Sequence, residues 1–126
     1  TMGDTAVYFR DSNIEHMGDV YNNSGYPFID ADNGGDLEGM IAFCEAVLAE
    51  INPETIVVPG HGPVATYNDM AEYITMLTEI RGKMMVLIGQ GATLEEVLAA
   101  DPTANWDDQM GDPARLINRA YASLTR

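Results

Sequence analysis

The four residues Thr55–Val58 (TIVV) sit between two long stretches of helical periodicity, and that arrangement narrows the fold more than any other feature. Before them, Leu37, Met40, Ile41, Cys44, Val47, Leu48 and Ile51 recur at steps of three and four, which writes one apolar stripe along a helix. Asp36 is its expected N-cap, and Asn52-Pro53 stops it. After them, Thr66 and Asp69 have the spacing of a capping pair that opens a long helix to about Gln90. Met70, Tyr73, Ile74, Leu77, Met84, Leu87 and Ile88 form its buried side, and Gly91 ends it. A β-branched run unbroken in apolarity is expected to be a strand covered on both faces.

The flanks complete an α/β order. Thr5–Arg10 and Ile14–Met17 are β-type runs around Asp11-Ser12-Asn13, which predicts a hairpin. Gly18 to Asp36 is rich in Gly, Asn, Asp and Pro and has no periodicity, so it is expected as a long irregular loop; Tyr21, Tyr26 and Phe28 argue against its being disordered. Thr93 and Glu96 have capping-box spacing for a helix over Leu94–Ala100, and Asp112-Pro113 opens a last helix with Leu116, Ile117, Ala120, Tyr121 and Leu124 on one face. Three short strands against several amphipathic helices leave an open sheet edge and an uncovered face. Either the helices close over one another or part of the sheet lies outside this chain. The expected architecture is a small β-sheet covered by helices, in one domain over residues 1–126.

Charge excludes some functions. Twenty acidic and 6 basic residues give a net charge of −14, which repels phosphate backbones and anionic headgroups, so neither nucleic acid nor a membrane surface is an expected partner. No segment reaches the ~20 apolar residues of a membrane span. The opening TMGDTAVYFR lacks a basic region followed by an apolar one, so it does not read as a signal peptide, and the compartment stays open. The single cysteine, Cys44, lies in the helical stripe and is expected as a buried spectator thiol.

Two residues fall where predicted strands run into loops, the usual place for reactive groups in α/β proteins. Asp19 follows the second strand of the hairpin in HMGDVY, and His61 follows the TIVV strand in IVVPGHGP. Gly18 on one side, and Gly60 and Gly62 on the other, let the chain turn so that each side chain can point out of a strand end. Carboxylate and imidazole are a common donor pair for zinc, iron or manganese. Two ligands do not make a site, and an Asp–His hydrogen bond or two unrelated turn residues would leave the same trace. His16 is expected to face away from Asp19 and to bond locally. Tyr26, Phe28 and Asp30 could wall a pocket, or Phe28 could simply cap the core with Ile29.

Read together, TMGDTAVYF, EHMGDVY…GYPFID and IVVPGHGPVAT resemble the C-terminal half of a metallo-β-lactamase-fold hydrolase, over essentially the whole chain. The resemblance implies half of an αββα sandwich with a metal centre at the edge of two sheets. It implies Asp19 as the carboxylate that bridges two metal ions, His61 as a ligand of the second, and Asp4 as a residue that orients a ligand. The cofactor it implies is zinc, two ions, with iron or manganese as alternatives. The implied reaction is hydrolysis of an ester, thioester, lactam or phosphoester by a metal-bound hydroxide, with a small-molecule substrate near Tyr26, Phe28 and Asp30.

The family's H-x-H-x-D-H cluster has no counterpart here, nor does the histidine that precedes the T-x-G-D motif. The expectation is therefore that a further N-terminal half carries the remaining ligands and is the obligatory partner. A non-catalytic acidic interaction domain that keeps the fold, with homo-oligomerisation open to it through the last helix, is the alternative.

Overall fold

The computed structural model describes residues 5–22, 24–29, 31 and 35–125, and the Asp19 side chain falls outside that description. Strands β1 (Val7–Phe9) and β2 (Ile14–Asn22) form the expected antiparallel hairpin, with Val7 opposite His16 and Phe9 opposite Ile14. Asn13 closes the turn in the left-handed region at φ 54°, a conformation that asparagine tolerates better than most residues. Its Oδ1 accepts hydrogen bonds from the hydroxyls of Tyr8 and Thr55, each at 2.7 Å, and its carbonyl accepts from the Ile56 amide at 3.0 Å. One turn residue thus ties the hairpin to the start of the next strand.

That strand, β3 (Ile56–His61), lies parallel to β2 and is reached through helix α1 (Leu37–Glu50). Both strands run further than their apolar residues suggest. β2 continues through Gly18 to Asn22, where an irregular loop was expected, because β3 keeps pairing alongside it as far as His61. The register slips twice on the way, between His16 and Gly18 and again before Asn22, and Gly18 takes φ +62° at the first slip. After the turn at Gly62, the two-residue strand β4 (Ala65–Thr66) returns antiparallel to β3; the short VAT segment gave no sign of it. The sheet is mixed and four-stranded in the order β1-β2-β3-β4.

Among the described residues only one face of this sheet is covered. Across the strands, Tyr8, Glu15, Val57 and Ala65 share a row, and Glu15, Val57 and Ala65 are buried. The neighbouring rows point the other way, and there Val7, Phe9 and Ile56 remain 47%, 54% and 45% exposed. The expectation that TIVV is covered on both faces is therefore corrected. Continuous apolarity says that a strand can be buried twice, but α1 and α2 (Tyr67–Gly89) both lie on the Val57 side.

The helices satisfy one another instead. Helix α1 packs on α2, and α5 (Ala114–Leu124) packs on α1, α2 and α3 (Leu94–Ala100). Leu37, Cys44, Leu77, Met84, Leu116 and Ile117 meet in one core, each worth roughly 1.5–3 kcal/mol of apolar burial where a large aliphatic side chain is involved. The apolar face of α5 is thus used within the chain rather than as an outer surface. Capping boxes at Thr66/Asp69 and Thr93/Glu96 start α2 and α3 as the sequence predicts, and Asp36 caps α1 by accepting from the Gly39 amide. A short helix α4 (Asp107–Met110), unexpected from the sequence, follows Trp106, whose indole N–H donates to Glu79 of α2 at 2.7 Å. The result is a mixed α/β fold, a small sheet with helices on one side. Among the described residues no helix is long and apolar enough to cross a membrane.

Candidate functional site

Because β2 and β3 are parallel, their C-terminal ends open at the same edge of the sheet, where α/β proteins place binding groups. His61 is the last residue of β3, lies exposed, and pairs in register with Asn22, the last residue of β2. Asp19 lies between Gly18, which pairs with Pro59, and Asn22. Its backbone therefore runs beside the Pro59–His61 segment, inside β2 rather than beyond its end as expected. Asp4 and Asp30 lie outside the described residues, as does the Asp19 side chain.

A cavity of about 400 Å³ opens beside His61, walled by Asn22, Tyr26, Phe28 and Arg115. Asn22 organises the approach. Its Oδ1 accepts from the Ser24 amide at 2.9 Å and the Ser24 hydroxyl at 2.8 Å, and its Nδ2 donates to the Tyr26 carbonyl at 3.1 Å. Tyr26 is anchored at the other end, where its hydroxyl donates to Asp107 Oδ1 at 2.7 Å and to the Thr103 carbonyl at 3.3 Å. Burial, and then the bond to Asp107, push its phenol well above the ordinary tyrosine range. The hydroxyl is held by α4, so Tyr26 presents its ring and backbone to the cavity. Phe28 is half exposed, with the guanidinium carbons of Arg115 and Arg119 at 5.4 and 5.6 Å from its ring centroid. Three of the expected site residues, His61, Tyr26 and Phe28, thus share one cavity.

His16 and Cys44 stand apart from it. His16 is exposed on the bare side of the sheet, and its Nδ1 accepts from the Gly18 amide at 3.2 Å, the local backbone bond expected of it. Burial pushes the Cys44 thiol up to about 12, so it stays protonated and unreactive. Sequence reasoning passed over Asn22 and Arg115. Asn22 looked like one polar loop residue among many. Arg115 carried a readable signal: it and Arg119 are two of only 6 basic residues, spaced one helical turn apart.

An imidazole at the end of β3 with a carboxylate-bearing residue on the adjacent strand suits the donor preferences of zinc, iron or manganese. Among the described residues no group of three or more His, Cys, Asp or Glu side chains converges, so a full shell needs donors beyond them. No protein-family model matches the sequence, and no curated protein matches it.

Proposed function

We propose that this chain supplies part of the site of a metal-dependent hydrolase, with Asp19, inside β2, and His61, at the C-terminal end of β3, as ligands. The observation that carries the reading is the parallel pairing that sets Asp19 beside Pro59–His61 at one sheet edge, with a cavity opening there. A zinc ion, or iron or manganese, held at that edge supplies Lewis acidity and lowers the pKa of a coordinated water toward ~7. The chain's own residues do the rest: Asn22 fixes the loop, Tyr26 and Phe28 line the cavity, and His61 holds its imidazole at the mouth. In this reading Asp4 orients a ligand, Asp30 borders the mouth, and the substrate is an ester, thioester, lactam or phosphoester.

The remaining ligands come from a further polypeptide half, and the bare apolar face at Val7, Phe9 and Ile56 gives that half something to cover. The same face also favours a second reading, a non-catalytic domain that docks a partner there without chemistry. Zinc titration followed through the imidazole resonances separates them. The hydrolase reading expects weak zinc binding that shifts His61, spares His16 and is abolished by Asp19→Ala, with no turnover by this chain alone. A His61 resonance indifferent to zinc overturns it.

A further inference from the structure

Tyr21 ends in a hydroxyl that no described residue engages. The residue is only 1% exposed, and its ring lies against that of Tyr73 with centroids 4.6 Å apart. Tyr73 donates to the Val20 carbonyl at 3.1 Å, whereas the Tyr21 hydroxyl has no hydrogen-bond partner among the described residues. A buried phenol normally finds one. No fully enclosed side-chain oxygen or nitrogen of the described residues lacks a partner, so this hydroxyl reaches open space. That space is a cavity of about 130 Å³ between α2 and α4, which Tyr21 lines.

The walls of this cavity specify a charge. Asp69 and Glu72 stand three residues apart on one face of α2, and both line it. Asp69 accepts from the Thr66 amide through Oδ2 at 3.0 Å, which leaves its Oδ1 for a ligand. Among the described residues Glu72 enters no hydrogen bond or ion pair, and no lysine, arginine or histidine lines the cavity. The net charge of −14 extends the attraction for cations to longer range. Burial, and then the charge of Asp69, push the Tyr21 phenol up to about 12, so at neutral pH its oxygen is uncharged and able to accept an N–H. The remaining wall includes Trp106, Tyr73, Met76 and Met110. Aromatic faces and thioethers attract an organic cation and cover its carbon chain, but they are poor ligands for a hard metal ion that needs roughly six oxygens.

From this arrangement we infer that the cavity between α2 and α4 binds a primary alkylammonium ion. Its three N–H donors match three acceptors, the carboxylates of Asp69 and Glu72 and the Tyr21 hydroxyl, and its carbon chain lies along Trp106, Met76 and Met110. A quaternary ammonium has no N–H to give Tyr21. An apolar cavity of ~150 Å³ takes a molecule the size of benzene, so this one takes an amine of about five or six non-hydrogen atoms. The site shares Ser24 with the His61 cavity, but the inference does not rest on the hydrolase reading.

The test titrates the 126-residue chain with n-butylammonium at neutral pH and constant ionic strength, following the fluorescence of Trp106, the single tryptophan. The expected result is a saturable change that 1-butanol does not produce and that tetramethylammonium and magnesium produce only at much higher concentration. Tyr21→Phe removes an acceptor for a charged donor and should weaken binding about tenfold. Glu72→Gln should weaken it about threefold, as loss of a solvent-exposed ion pair does. Glu72 is exposed on α2, so this variant keeps the wild-type circular dichroism and carries the test even if Tyr21→Phe disturbs the core. No saturable change with butylammonium overturns the inference, as does a folded Glu72→Gln that binds like wild type. An equal response to 1-butanol makes the cavity a merely apolar hollow, tighter binding of magnesium makes it a metal site, and equal binding of tetramethylammonium removes the part given to Tyr21; each of these overturns it too.

Discussion

Replacing Asn13 by alanine should cost this protein about 3 kcal/mol, through two effects that can be measured apart. The first is the loss of an acceptor shared by two hydroxyls, Tyr8 and Thr55, each 2.7 Å from Oδ1. Thr55 is only 2% exposed, so water cannot easily replace the lost partner, and a stranded buried hydroxyl costs about 1–3 kcal/mol. Tyr8 is half-buried and can turn toward solvent, adding about 0.5 kcal/mol. The second effect is the backbone, since at φ 54° alanine pays about 1 kcal/mol. Asn13→Gly removes only the first effect's partner and relieves the second, so it should destabilise by about 1 kcal/mol less than Asn13→Ala. Asn13→Asp keeps an acceptor and should stay within about 1 kcal/mol of wild type. Urea unfolding reads all three, with the single tryptophan Trp106 as the fluorescence probe and circular dichroism as the check on two-state behaviour. If Asn13→Ala and Asn13→Gly both unfold at the wild-type midpoint with an unchanged slope, the hub role of Asn13 is refuted.

Glu15 should make stability depend on pH in the direction opposite to most carboxylates. Burial, and then the charge of Glu50, hold its carboxyl above the ordinary value, so the stability it contributes is full below that ordinary value and is lost as pH rises through the raised folded value. Glu15→Gln should therefore raise the melting temperature at neutral pH and have little effect near about pH 4; a variant less stable than wild type at both pH values refutes this. Tyr26→Phe removes the hydroxyl that donates to Asp107 and should cost roughly 1.5–3 kcal/mol while speeding amide exchange at Ser24 and Gly25. Unchanged exchange there would show that the loop is held by something other than α4.

The helices were legible because their signals are local. Leu94–Ala100 has the predicted bounds, and the caps at Asp36, Thr66 and Thr93 bond as their spacing implies. Strand extents were not, because they depend on a neighbour distant in sequence. Nothing in GDVYN announces that β2 goes on pairing until His61 has passed, and nothing in VAT announces β4. For the same reason TIVV showed that burial was possible but not on which side the helices would lie. The cavity was half legible: Tyr26, Phe28 and His61 stood out as aromatic or reactive residues in loops, whereas Asn22 and Arg115 acquire meaning only once β2 and α5 are placed.

The parallel pairing of β2 with β3 also sets the order in which this chain can assemble. Ile14 and Ile56 meet across roughly 40 residues, so closing that crossover costs about 3 kcal/mol of chain entropy before Met17 and Val57 can be buried together. Hairpins and the capped helices can form earlier from local contacts, but the strands that carry Asp19 and His61 come together only when the crossover closes. A ligand at that edge therefore meets only chains that have already closed. Its binding should slow unfolding while leaving the rate of folding almost untouched.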